Sequence, residues 1–181
     1  MRLFVAVDMD EKIRENLSTL LDQLSKLRGL KTVERENLHT TLMFLGEVQE
    51  AKLKDIQIAL SKVEFEPFKI TLKGMGRFPN RGDPRVLWVA IEEGKDEMTR
   101  LADNVYSTLK KLGFDRDKSF EAHVTVARVK NRIPELYRFL EDFKNASFGE
   151  MLVKEFRLKQ SILKPSGPVY KDVYVFGGKD G

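Results

Sequence analysis

Cysteine is absent from this 181-residue chain. That excludes disulfide frameworks, Cys–zinc sites and thiol nucleophiles, and it points to a cytoplasmic location. No apolar run approaches the roughly 18 residues of a membrane helix. The opening Met1-Arg2-Leu3-Phe4-Val5-Ala6-Val7-Asp8 is too short for a signal-peptide core and reads as a strand. A Gly-rich phosphate loop of the Walker or dinucleotide type is also missing, and Gly74-Met75-Gly76 reads as a strand bend. Neither sign of charge dominates: 32 Lys and Arg against 28 Asp and Glu leave +4. A mixed, solvated surface follows, compatible with a polyanionic partner without requiring one. High charge without Cys also fits the residue usage of thermophiles. Histidine is the most informative scarcity, with only His39 and His123. A His-rich metal site is impossible, and any imidazole chemistry rests on these two positions.

What is present describes a folded α+β chain. Hydrophobic residues make up 41% and charged residues 33%, too apolar for disorder and too charged for a membrane protein. At about 150 residues per domain the length predicts one domain over residues 1–181, or two small lobes sharing a core. Residues 2–8 read as a buried strand, and 11–28 as a helix through Ile13, Leu17, Leu20, Leu21, Leu24 and Leu27, closed by Gly29. A strand over 38–46, a helix over 50–62 and strands over 68–78 and 85–93 follow. Then come a helix from Met98 to Leu112, a strand over 121–129, a helix over 133–143, and strands over about 150–163 and 169–176.

The order of elements repeats. The tripeptides His39-Thr40-Thr41 and His123-Val124-Thr125 lie 84 positions apart. The same offset carries Phe4-Val5-Ala6-Val7 onto Trp88-Val89-Ala90-Ile91, Leu17 onto Leu101, and Leu42 onto Val126. Two similar lobes about a pseudo-twofold axis would bring His39 and His123 face to face across a cleft. Within each strand, i and i+2 share a face. His39 is therefore expected beside Thr41, with Leu42 and Phe44 behind, and His123 beside Thr125, with Val124 and Val126 behind.

Two imidazoles and two hydroxyls form a cradle for a tetrahedral anion such as phosphate. With ordinary pKa values near 6.5, one imidazole can be neutral while the other is protonated. That pairing suits in-line displacement at phosphorus, in which one side activates the nucleophile and the other protonates the leaving oxygen. Metal catalysis would need carboxylates; Glu36 and Glu121 are the nearest, and neither tripeptide contains one, so no metal and no cofactor are expected. Arg128 ends the second motif strand, where simple alternation turns it away from His123. Phe44 and Trp88 occupy positions expected for core residues. Lys164 and Tyr170 flank the last loop, and Arg77, Arg81 and Arg85 cluster around the loop at 79–84.

The pair His39-Thr40-Thr41-Leu42 and His123-Val124-Thr125-Val126 resembles the twin HxTx signature of the two-histidine phosphoesterases. The segments Leu38 to Gly46, Phe4 to Val7 and Ala122 to Arg128 resemble the branch of RNA 2′,3′-cyclic phosphodiesterases, also called 2′-5′ RNA ligases, over nearly the whole chain. The resemblance implies a bilobal α+β fold, with two antiparallel sheets lining a central cleft and helices outside. It also implies metal-independent opening of RNA 2′,3′-cyclic phosphate ends to 2′-phosphomonoesters, with 2′-5′ ligation as the reverse reaction. His39 would be the proton donor and His123 the proton acceptor, with Thr41 and Thr125 holding the phosphate and Arg128 a further phosphate candidate. The implied partners are RNA ends, such as tRNA fragments, or small cyclic nucleotides, handled by a monomer away from membranes. Two other readings stand beside this one: a non-catalytic module for RNA ends or nucleotides, and a phosphodiesterase for another small cyclic nucleotide such as ADP-ribose 1″,2″-cyclic phosphate.

Overall fold

The computed structural model describes residues 1–179. The chain opens with β1 (Arg2–Asp8), in which Leu3, Phe4, Val5, Ala6 and Val7 are all buried. Asp10 then accepts a hydrogen bond from the Ile13 amide at 2.9 Å and caps α1 (Glu11–Ser25). Ile13, Leu17, Leu20, Leu21 and Leu24 form the buried stripe of that helix. It stops three residues short of the expected end, because the Leu27 amide bonds back to the Leu24 carbonyl and tightens the last turn. A short strand absent from the sequence reading, β2 (Leu30–Thr32), precedes β3 (His39–Glu47). The helix expected over 50–62 opens with a 3₁₀ turn at Glu50–Lys52 and continues as α2 (Leu53–Ser61).

The later elements are β4 (Phe68–Phe78), β5 (Val86–Ile91), α3 (Lys95–Lys110), β6 (His123–Val129) and α4 (Glu135–Phe143). The expected pair of final strands is instead three: β7 (Ser147–Val153), β8 (Glu155–Lys164) and β9 (Gly167–Gly177). The run from 147 to 164 looks continuous in sequence because no Gly or Pro marks its break. At Lys154 the chain leaves one sheet for the other: β7 pairs with β4, whereas β8 pairs with β1.

Two antiparallel sheets result, in the orders β3-β1-β8-β9 and β2-β6-β5-β4-β7. The halves of the repeat are interleaved. The first and third strands of the chain share a sheet with its last hairpin, while β4 joins β5 and β6. One hydrophobic cluster runs through both sheets and the helices, from Leu3 to Phe176. On the helical layer, α1 touches β2 and β7, α3 touches β3 and α2, and α4 touches β4. The motif strands β3 and β6 belong to different sheets yet contact each other, so the sheets meet along the two His-bearing strands. Among the described residues no helix is long and apolar enough to cross a membrane.

Candidate active site

Each motif strand contains a bulge, and the bulges decide which side chains face the cleft. Along β1 and β3, Ala6 pairs with Thr41 and Val5 with Met43, leaving Leu42 as the extra residue. Along β5 and β6, Trp88 pairs with Thr125 and Leu87 with Ala127, leaving Val126 as the extra residue. Leu42 and Val126 are repeat equivalents. A bulge reverses the alternation beyond it, and this overturns two expectations. Phe44 is 69% exposed and stands on the His39 face instead of in the core. Arg128 is exposed between buried Ala127 and Val129, so it shares the face of His123 and Thr125 instead of opposing them. Its charge is felt by both His123 and Tyr170.

The two histidines are held alike. The Nδ1 of His39 lies 2.6 Å from the Asn37 carbonyl oxygen, and that of His123 2.7 Å from the Glu121 carbonyl oxygen. A carbonyl only accepts, so Nδ1 carries the proton in both rings and Nε2 is the free, basic nitrogen. The His39 Nε2 sits 3.0 Å from Thr41 Oγ1 and accepts from that hydroxyl while the ring is neutral. Both rings also lie against aromatics. Phe4 and Tyr170 stand 5.3 and 5.4 Å from His39, and Phe78 and Trp88 stand 5.2 and 6.1 Å from His123, centroid to centroid.

Burial is the main influence on each imidazole and pushes its pKa below 6.5. The carbonyl bond to Nδ1 works in the opposite direction in both. Asp8 also raises the pKa of His39, while Lys159 and His123 lower it. Glu121 raises that of His123, while Lys118 and Arg128 lower it. His123 is thus near enough for its charge to act on His39.

The flanks differ. Beside His123 lies a cavity of about 520 Å³, lined by Phe78, Trp88, Arg85, Lys118 and Glu121 among others. Beside His39, Tyr170 on β9 completes an aromatic ledge with Phe4 and Phe44. Of the loop arginines, Arg85 reaches the cavity, but Arg77 is occupied holding its own loop through the Gly82 and Asn80 carbonyls. Arg81 and Lys164 are exposed. Trp88 is half-buried and fills the space where a Cβ on Gly76 would fall 2.1 Å from Cη2. Sequence reasoning missed one feature outright, an ion cluster of Asp8, Lys159, Asp172, Arg157 and Glu155 on the His39 side. Its only sequence signal is the alternation of Arg157 and Lys159 with the apolar Phe156 and Leu158. Among the described residues no three His, Asp or Glu side chains form a ligand group.

A family model described as LigT like Phosphoesterase matches the chain twice, over residues 7–88 and 89–170, one match for each half of the repeat. The RNA 2′,3′-cyclic phosphodiesterase of Archaeoglobus fulgidus is 57% identical over 176 residues, covering 97% of this chain and 99% of that protein. The protein of the same name from Methanocaldococcus jannaschii is 38% identical over 174 residues, covering 94% and 97%. A crystal structure of a Thermus thermophilus protein superposes with a TM-score of 0.84 at 36% identity, covering 98% of this chain and 97% of that one. Twin His-Xaa-Thr strands on equivalent bulges, two interleaved halves that each match one model, and full-length similarity lead to one conclusion: the chain belongs to the LigT-like phosphoesterases.

Proposed function

We propose that the chain opens 2′,3′-cyclic phosphate ends of RNA to 2′-phosphomonoesters, acting over residues 1–181 as one bilobal phosphodiesterase domain. Water adds to phosphorus as the bond to the 3′-oxygen breaks. His123 Nε2 takes the water's proton, and protonated His39 gives its Nε2 proton to the departing 3′-oxygen. Thr41, Thr125 and Arg128 hold the phosphate oxygens, Arg128 with a fork of donors suited to them. No step calls on a metal. The observation carrying this reading is the pair of matched Nδ1–carbonyl bonds, which leave the basic Nε2 of each histidine for proton transfer. The names of the full-length relatives support the same substrate class.

The same displacement with the 5′-hydroxyl of a second RNA end in place of water, its proton passing to His123 as the bond to the 3′-oxygen breaks, yields a 2′-5′ linkage. The cavity beside His123 favours this second use. Hydrolysis needs room there only for water, whereas an aromatic cavity of about 520 Å³ has the size of a small-molecule site. The test is incubation with a 2′,3′-cyclic nucleotide and with RNA bearing such an end, with and without a strong chelator. A 2′-phosphate product, assigned by phosphorus NMR and unaffected by chelation, is expected. A 3′-phosphate product would reverse the geometry. Saturable binding without turnover would make the protein a binding module instead.

A further inference from the structure

The repeat poses a problem for acid–base catalysis. Two equivalent histidines, each tied through Nδ1 to the carbonyl two residues earlier, have no reason to differ. Yet one must hold a proton while the other is neutral. Their surroundings break the equivalence.

Strand pairing shows where. The residue across from His39 on β1 is Asp8, and the residue across from His123 on β5 is Ala90. These lie 82 positions apart, so β1 and β5 are offset by two residues relative to the motif strands. In the same register, Lys159 lies across from Phe4 on β8, and its counterpart across from Val86 on β4 is Phe78. One half therefore has a carboxylate and an ammonium where the other has a methyl group and a phenyl ring. Lys159 is 6% exposed, a depth at which a charge is rarely found without partners. Its Nζ lies 2.8 Å from both carboxylate oxygens of Asp8 and 3.1 Å from Asp172. Arg157 closes the cluster through Glu155 at 2.7 Å, Asp8 at 3.7 Å and Asp172.

We propose that this one-sided cluster makes the two histidines unequal and keeps the transferable proton on His39, with Asp8 and Lys159 as positioning residues for the acid. The inference rests on the acid–base reading above and supplies a physical reason for its polarity. Asp8, across from His39 and with its side chain only 19% exposed, is the charge acting most strongly on that imidazole and raises its proton affinity, against Lys159 and His123. The carboxylate that raises His123 is instead the exposed Glu121, whose charge solvent screens, and Lys118 and Arg128 oppose it. The field across the bound phosphate then favours imidazolium on the His39 side. Lys159 fixes Asp8 in place and limits how far it raises the proton affinity of His39. The charges acting on His39 are Asp8 from β1, Lys159 from β8 and His123 from β6, with the Tyr170 ring of β9 against it and Arg128 beyond Tyr170, while Arg157, Glu155 and Asp172 belong to the ion network around Asp8 and Lys159.

The test is a proton and nitrogen NMR titration of both imidazoles in the free protein, for the natural sequence and for Asp8→Asn, Asp172→Asn and Lys159→Met. The two carboxylate variants should lower the His39 midpoint by roughly 0.5–1 unit, and Lys159→Met should raise it by a similar amount, with His123 moving much less. In hydrolysis of a cyclic nucleotide, the alkaline limb of the pH profile should follow His39 in the same directions. A merely structural cluster would lower the melting temperature of all three variants and shift neither midpoint. Equal movement of both histidines would also overturn the proposal. If Lys159→Met fails to fold, the carboxylate variants alone decide, since both must lower His39. The titration needs no turnover. A protein inactive on cyclic phosphates would sink the functional reading while leaving the midpoints to judge the cluster.

Discussion

At the residue scale, the proposed reaction asks two imidazoles for opposite tasks. Alanine in place of His39 or of His123 is expected to cost about 10²–10⁴-fold in the chemical step. The double variant should lose far less than the product of the two, because the pair acts as a unit. Thr41→Ala or Thr125→Ala should cost about 1.5–3 kcal/mol, the range for a hydrogen bond to a charged group. Single-turnover hydrolysis of a cyclic nucleotide measures all of these, and a fully active His39→Ala would remove the proposed acid. The lowered imidazole pKa values make a separate prediction. An anion in the cleft favours protonated rings, so its binding takes up protons. Sulfate, a dianion throughout the range, should bind more tightly as pH falls from about 8 to about 6. In the absence of an anion the sign for stability is the opposite. The depressed pKa values contribute stability above about 6.5, and this is lost as pH falls through the folded-state values. Calorimetry with sulfate, and thermal melts without it, would read the two effects. A sulfate affinity that is flat with pH would contradict the site.

At the element scale, the bulges at Leu42 and Val126 do the positioning. Each lets the strand present His, Thr and a third residue to the cleft while keeping aliphatic side chains in the core on both sides of the bulge. The third residue differs, Phe44 in one half and Arg128 in the other, so the same backbone device serves an aromatic ledge and a cation. Trp88 shows how closely the second half is packed. Its indole occupies the space above Gly76, and its ring neighbours both Phe78 and His123. Gly76→Ala has no room for its methyl group without moving that indole. The expected cost is about 1–3 kcal/mol of stability, with a loss of hydrolysis as His123 shifts. Denaturant melts and kinetics on the same variant would show the two together. A variant of unchanged stability and rate would contradict the tight contact.

At the scale of the whole molecule, the two halves cannot part. β8 and β9 complete the sheet begun by β1 and β3, and β4 completes the sheet of β5 and β6. Residues 1–84 alone would leave β1 with an unpaired edge and β4 without either neighbour. We therefore expect that fragment to lack the cooperative unfolding of the full chain, as followed by circular dichroism and amide exchange. A folded fragment would mean that the interleaving is dispensable. The helices add to the coupling, because α1 follows a strand of one sheet yet touches β2 and β7 of the other.

The sequence by itself determined most of the elements, the repeat and the two histidines. Apolar spacing along α1 and α3 depends only on neighbours within a few residues, and a period of two was enough to put His39 beside Thr41 and His123 beside Thr125. Full-length similarity to named relatives added the family. Period-two reasoning failed at Phe44 and Arg128, because a bulge is a property of a strand and its partner, and no local signal marks Leu42 or Val126. The break at Lys154 was hidden for the same reason: β7 and β8 differ in which strand they pair with, not in composition. Only the tertiary structure could bring Asp8 to Lys159, 151 positions away, and so make one of two equivalent histidines unlike the other. Charge acts through space, and the two ends of this chain meet only once the sheets are built.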